Sequence, residues 1–467
     1  MDARTRAEYV ERAVWPIGRG DRNFWIAVVV LSALVAAGVF AWIYQLSNGL
    51  WVTGLNQKVS WGFYIINCVF FIGISYGGAI TSAILRLTNA KWRAPLTRIA
   101  EATAVAALLV GAVFPIVDLG RPDRFLNVFL YAQVGSPIVW DVVAISTYAV
   151  ASLVFLYLPL IPDMAVARDT LAPPPETVRP LLPEVAILRT PRSPVRARVL
   201  RGIYDALALG WKGTPAQERA LARGIGIMAV LIIPLAVSVH SVLAWLFAVT
   251  VRAEWHSTIF APLFVLGAMF SGVAAVIIVV AAMRKVYGLQ RFITAKHFRY
   301  LSYLLVALGL AYVYFMVSEY LTEGYVFAED TAPVLESLFT GAYAPAFWSF
   351  SLGGLVLPIV LAALPGRFPV ARACVASALV IGGMWLKRFL IVVPGMANPV
   401  MPWDWGRYQP TWVEIAITTG AAAAIPLMLI VFFRFFPVMS VHEMEEVEAA
   451  SEPSHAVPAA AFAGGAE

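Results

Sequence analysis

The sequence predicts an all-α integral membrane protein with ten transmembrane helices and both termini cytoplasmic. Two observations predict the spans, and a third predicts their direction. Of 467 residues 60% are hydrophobic and only 13% charged, where soluble domains carry roughly a quarter charged residues. The chain also contains ten apolar runs of 18 to 26 residues, enough to cross a hydrocarbon core of about 30 Å as helices. Finally, the basic residues fall overwhelmingly into alternate loops.

In chain order, an N-terminal segment 1–22 of mixed charge precedes the first run, Asn23–Leu46. That run is too long for a signal-peptide core, so it reads as a span. Gly62–Leu85, Ile99–Val117 and Pro137–Ile161 complete a first group of four spans, 23–161. A linker, 162–224, follows with a Pro run at 173–175 and Arg192, Arg196, Arg198 and Arg201; it holds one expected surface helix, Val199–Trp211. The second group, 225–435, comprises Ile225–Val249, Thr258–Met283, Leu301–Tyr320, Phe347–Leu364, Ala373–Val393 and Trp412–Phe435. The tail 436–467, with Glu443, Glu445, Glu446 and Glu448 before an Ala/Pro/Gly stretch, has the composition of a disordered segment.

With the N-terminus in the cytoplasm, 27 Lys and Arg fall inside and five outside, while Lys387 and Arg388 lie within a span. This is a strong positive-inside signal. The net charge of +6 therefore reflects orientation in a lipid membrane and does not point to nucleic acid. Cys68 and Cys374 sit in different spans, and there is no C-x-x-C-H. The chain thus offers no cysteine-ligated iron–sulfur cluster and no covalent haem. His240 is the single His clearly within a span, which argues against bis-histidine haem and against a metal site. No phosphate-binding G-x-x-x-x-G-K-[ST] occurs.

Ionisable groups inside a bilayer are costly and call for a functional explanation. Sorted by depth, Asp118, Asp141, His240, Glu254, Glu319, Arg388 and Glu414 collect toward the outer side, and the inner halves of the spans carry almost none. Asp141 and Glu414 also suit helix N-termini, where the dipole favours a carboxylate. Asp118 can pair with Arg121 or Arg124, Lys387 can snorkel, and His256 reads as a surface residue. A His and two or three carboxylates suit a quinol headgroup, whose two hydroxyls each need an acceptor and whose oxidation releases two protons. An ion site would normally recruit broken helices. The paired glycines Gly77-Gly78, Gly353-Gly354 and Gly382-Gly383 fit broken helices or close packing.

Several stretches carry a resemblance: 114–122 (FPIVDLGRP), 136–148 (SPIVWDVVAISTY), 239–245 (VHSVLAW), 255–262 (WHSTIFAP), 267–272 (GAMFSG) and 318–321 (SEYL). The chain resembles the NrfD/polysulfide-reductase membrane-subunit family, whose ten-helix members include the quinol-interacting subunits of alternative complex III. The resemblance implies two four-helix bundles, spans 2–5 and 6–9, plus two flanking helices, spans 1 and 10, in a subunit of a multisubunit oxidoreductase of a bacterial cytoplasmic membrane. It would bind quinone or quinol non-covalently near the outer face and pass electrons to an iron–sulfur subunit there. Cytochrome c subunits and a homologous NrfD-like subunit are further implied partners. His240, Asp141 and Asp118 would handle the headgroup, with Arg388 and Trp140 in the binding site; Glu319, Lys387, Arg388 and Tyr148 would line a proton route. The outer loops 118–136, 322–346 and 394–411 are candidate docking surfaces, the last carrying Pro399, Pro402, Trp403 and Trp405. A small-anion transporter using Lys387 and Arg388, and a membrane anchor without a quinol site, are the alternative functions.

Overall fold

The computed structural model describes residues 8–10, 13, 22–170, 194–366, 369–401 and 404–444. The Pro run at 173–175, Arg192, Pro402, Trp403 and the tail from 445 lie outside the described residues. Among the described residues ten helices are long and apolar enough to cross a membrane, and the chain is a multi-pass membrane protein.

The spans are α1 (Arg22–Asn48), α2 (Phe63–Leu87), α3 (Ala94–Asp118) and α4 (Pro137–Tyr157). Two helices outside the apolar core follow, α5 (Leu160–Thr170) and α6 (Pro194–Leu207). The second group of spans begins with α7 (Pro215–Ala248), α8 (Phe260–Val286) and α9 (Ala295–Val326). After the short α10 (Ala332–Phe339) come α11 (Ala344–Ala363), α12 (Pro369–Ala397) and α13 (Trp412–Phe435). Local chemistry sets several starts. Thr214 and Gln217 form a reciprocal capping box for α7, and Thr411 and Glu414 do the same for α13. Proline occupies the first turn of α4 and α7, where its missing N–H costs nothing.

Helices α2, α3, α4 and α7 pack as one four-helix bundle, and α8, α9, α11 and α12 as a second. α1 and α13 pair with each other along the flank of the first bundle. The bundles meet through α2 and α8. In its most apolar window α2 is 94% buried, against 11% for α1; α2 is thus the central post, and α1 turns its apolar surface to lipid. Gly77 and Gly272 mark the closest approach of the bundles, for a Cβ on Gly77 would lie 2.2 Å from the Gly272 Cα. Gly354 and Gly383 play the same part between α11 and α12, at 2.4 Å. Small residues let backbones meet where no hydrophobic force drives helices together. α2 runs unbroken through Gly77 and Gly78, whereas α11 contains a π-helical stretch, Ser349–Val356.

One end of the molecule, the basic end, is closed by ionic and hydrogen-bonded contacts. Arg98 and Asp163 pair at 2.8 Å, both side chains fully shielded, and Asp163 also accepts the backbone N–H groups of Val441 and His442. Glu443 pairs with Arg86 and accepts from Thr97 at 2.8 Å. Tyr9 donates to the Ser440 carbonyl, and Tyr204 of α6 to that of Phe435. Residues 437–444 therefore fold back over the ends of α2 and α3.

Candidate functional site

The first bundle buries His240 completely (0% exposed). Its imidazole lies on α7 and meets the ring of Tyr76 edge-on, centroids 4.6 Å apart, and that of Phe264 on α8 at 6.2 Å. Gly73, one turn before Tyr76 on the same face of α2, packs against Ala268 of α8 and His240: a Cβ there would stand 3.3 Å from the Ala268 Cβ and 3.5 Å, an ordinary contact, from Nε2 of His240. Tyr76 is also edge-on to Tyr148 of α4 at 4.7 Å, and the Tyr148 hydroxyl lies 3.1 Å from the Ser75 Oγ. Among the described residues neither ring nitrogen of His240 has a hydrogen-bond partner, nor has the Tyr76 hydroxyl. Buried polar groups are paired in the great majority of proteins, so several orphans side by side mark a place built for something else.

Asp141 is buried in the first turns of α4 with one carboxyl oxygen unpartnered, and so is one oxygen of Asp118, the last residue of α3. Both acids lie within electrostatic range of Cys68, and Asp141 also within range of Tyr76. Neither acid hydrogen-bonds His240. The residues grouped by depth are thus split: two acids within electrostatic range of Cys68, and a histidine in ring contact with Tyr76 further along α2. Trp140 is 40% exposed, and its indole donates to the Val134 carbonyl at 2.5 Å. Arg388 approaches from α12. Its guanidinium stands 4.5 Å over the Phe264 ring and donates to the Phe264 carbonyl at 3.3 Å, so Phe264 touches both Arg388 and His240. Tyr148 belongs to this first-bundle group, on a different bundle from Lys387.

The second bundle holds its own polar cluster. Lys387, buried on α12, donates to the Tyr320 hydroxyl at 2.7 Å and lies 4.9 Å over that ring and 6.0 Å over Phe350 of the π-helical stretch. Glu319, Glu254 and Glu323 lie within electrostatic range of its charge. Glu254 lies in the loop between α7 and α8, with one carboxyl oxygen buried and unpartnered, and burial pushes this carboxyl well above the usual range. π-Helical turns recur at functional sites.

Two of the acids have plainer explanations or different surroundings. The Glu414 carboxylate accepts the Thr411 and Gly54 N–H groups and the Tyr408 hydroxyl, at 2.9, 2.7 and 2.6 Å, so it serves as a structural clasp. The half of α3 nearer the basic end contains Glu101, buried, accepting from Ser82 at 2.6 Å and with its other oxygen unpartnered among the described residues. Glu101 is an exception to the expectation that the inner halves carry almost no ionisable side chain. An acid three residues into an apolar run was visible in the sequence. Tyr76 gave no such signal, because α2 is buried on every side and periodicity cannot sort its faces.

Comparison with known proteins places this architecture. The polysulphide reductase NrfD family matches residues 51–400, which span α2 to α12. The chain is 23% identical to a selenate reductase subunit of Mesobacillus selenatarsenatis, over 88% of this chain and 93% of that protein. It is 22% identical to the Hdr-like menaquinol oxidoreductase integral membrane subunit of Archaeoglobus fulgidus, over 91% and 96%. It is 23% identical to the menaquinone reductase integral membrane subunit of Nitratidesulfovibrio vulgaris, over 89% and 91%. With three quarters of its length matched, covering both bundles, the chain belongs to the polysulphide reductase NrfD family.

Proposed function

We propose that the chain is the quinol-binding integral membrane subunit of a multisubunit oxidoreductase of the alternative-complex-III kind. The observation that carries this reading is the buried imidazole of His240, both nitrogens without a hydrogen-bond partner among the described residues, with one likewise unpartnered carboxyl oxygen of Asp141 on the neighbouring helix. Two relatives named for menaquinol or menaquinone chemistry, aligned over most of both chains, support it. A neutral imidazole accepts the proton of one quinol hydroxyl, and Asp141 or Asp118 takes that of the other. The two electrons leave to an iron–sulfur subunit docked on the end opposite the basic loops, which the positive-inside bias makes the outer face of a bacterial cytoplasmic membrane. In this reading the assembly also holds cytochrome c subunits and a second NrfD-like membrane protein.

The second-bundle cluster of Glu319, Lys387 and Arg388 is the proton-handling half in the same proposal, tested by proton uptake in vesicles with Glu319→Gln. An anion-transport role is less well supported, because the Lys387 charge already faces three carboxylates. The deciding experiment is quinol-dependent electron transfer by the intact complex. His240→Ala and Asp141→Asn should each abolish turnover while the complex still assembles. Normal turnover in both variants would overturn the proposal.

A further inference from the structure

Tyr76 lies near the middle of α2 and is 1% exposed. Its ring is held by His240 on one side and Tyr148 on the other, at 4.6 and 4.7 Å. The two tyrosines differ in one respect. Tyr148 has a hydroxyl neighbour in Ser75 at 3.1 Å, whereas the Tyr76 hydroxyl has no partner among the described residues. Buried tyrosines ordinarily pair this group. The orphan hydroxyl shares its surroundings with two further orphans: the His240 nitrogens, one ring contact away, and the Asp141 carboxyl, within electrostatic range.

A phenol both donates and accepts a hydrogen bond. Beside a histidine that can take either tautomer, it can serve the oxidised and the reduced headgroup alike, donating to a quinone carbonyl and accepting from a quinol hydroxyl. We propose that Tyr76 contacts the substrate: its hydroxyl hydrogen-bonds a headgroup oxygen beside His240, where α2 and α7 pack together. This rests on the quinone reading above and adds a residue to it. A purely structural role would rest on the ring contacts alone, and phenylalanine keeps those.

The test is Tyr76→Phe in the intact complex. Under the proposal the complex assembles and kcat/KM for quinol falls roughly tenfold or more, chiefly through KM. The infrared carbonyl band of bound, carbonyl-13C-labelled quinone moves to higher frequency as a hydrogen bond is lost. A second measurement needs no variant. With ring-labelled tyrosine, the quinone-loaded minus quinone-depleted difference spectrum of the wild-type complex should contain a tyrosine C–O band, and its absence overturns the proposal. Wild-type kinetics and an unshifted carbonyl band in Tyr76→Phe, with His240→Ala inactive, overturn the role of Tyr76 and leave the quinol site standing. Full activity in His240→Ala as well removes the site itself.

Discussion

The ammonium of Lys387 reaches the hydroxyl of Tyr320 at 2.7 Å from inside the second bundle, with Glu319 the acid it feels most strongly. Removing one member of a buried charge group strands the rest, at a cost of about 3–5 kcal/mol. Lys387→Met should therefore lower the yield of assembled complex and its melting temperature. Adding Glu319→Gln should restore part of the loss, and a double-mutant cycle on thermal unfolding measures the coupling.

Asp163 presents the same physics at the basic end, where it faces a fully shielded Arg98 and holds two backbone N–H groups of the C-terminal segment. Asp163→Ala should cost about 3–5 kcal/mol and release residues 437–444. Limited proteolysis from the C-terminus, compared with wild type, reads the release directly.

The contact between the bundles tolerates no side chain. Gly77→Ala would put a Cβ 2.2 Å from the Gly272 backbone. Overpacking of this kind costs about 1–3 kcal/mol or more, and here backbone must move to relieve it. Gly353→Ala, whose Cβ would meet nothing within 4 Å, should leave the melting temperature close to wild type.

Glu254 makes stability depend on pH. Burial holds its carboxyl above the ordinary glutamate range, so the folded state keeps a proton that the unfolded chain would release. Its contribution to stability is intact below the unfolded value, about 4.3, and is lost as pH rises from there through the folded value. The melting temperature should fall across that window, and Glu254→Gln should flatten the slope.

Much of this architecture is legible in the sequence, because lipid imposes a length and a composition on every span. The ten runs became ten helices among the described residues, and the last span, Trp412–Phe435, coincides with its expected boundaries. The starts that moved furthest are those where polar residues extend a helix beyond the apolar core. α7 begins at Pro215 behind the Thr214 cap, well before the apolar run at Ile225. The depth sorting located the acids and His240 but did not show which of them touch. His240 and Asp141 sit on α7 and α4, which pack together, yet neither hydrogen-bonds the other. Trp140, next in sequence to buried Asp141, faces the opposite way because adjacent residues on a helix do not share a side.

What the sequence determined by itself is therefore the class of molecule: a ten-span membrane protein whose few intramembrane charges are too costly to be accidental. What only the tertiary structure decided is the partnership of each polar atom. Glu414 proved to be spent on a clasp, Glu101 to be buried beside Ser82, and Tyr76 to stand against His240 with its hydroxyl unpaired. The reason is physical. Burial in lipid is a property of a segment and can be read from its composition, whereas hydrogen bonding and ring contact are properties of pairs, and pairs such as Gly54 with Glu414 and Tyr76 with His240 join residues far apart in the chain.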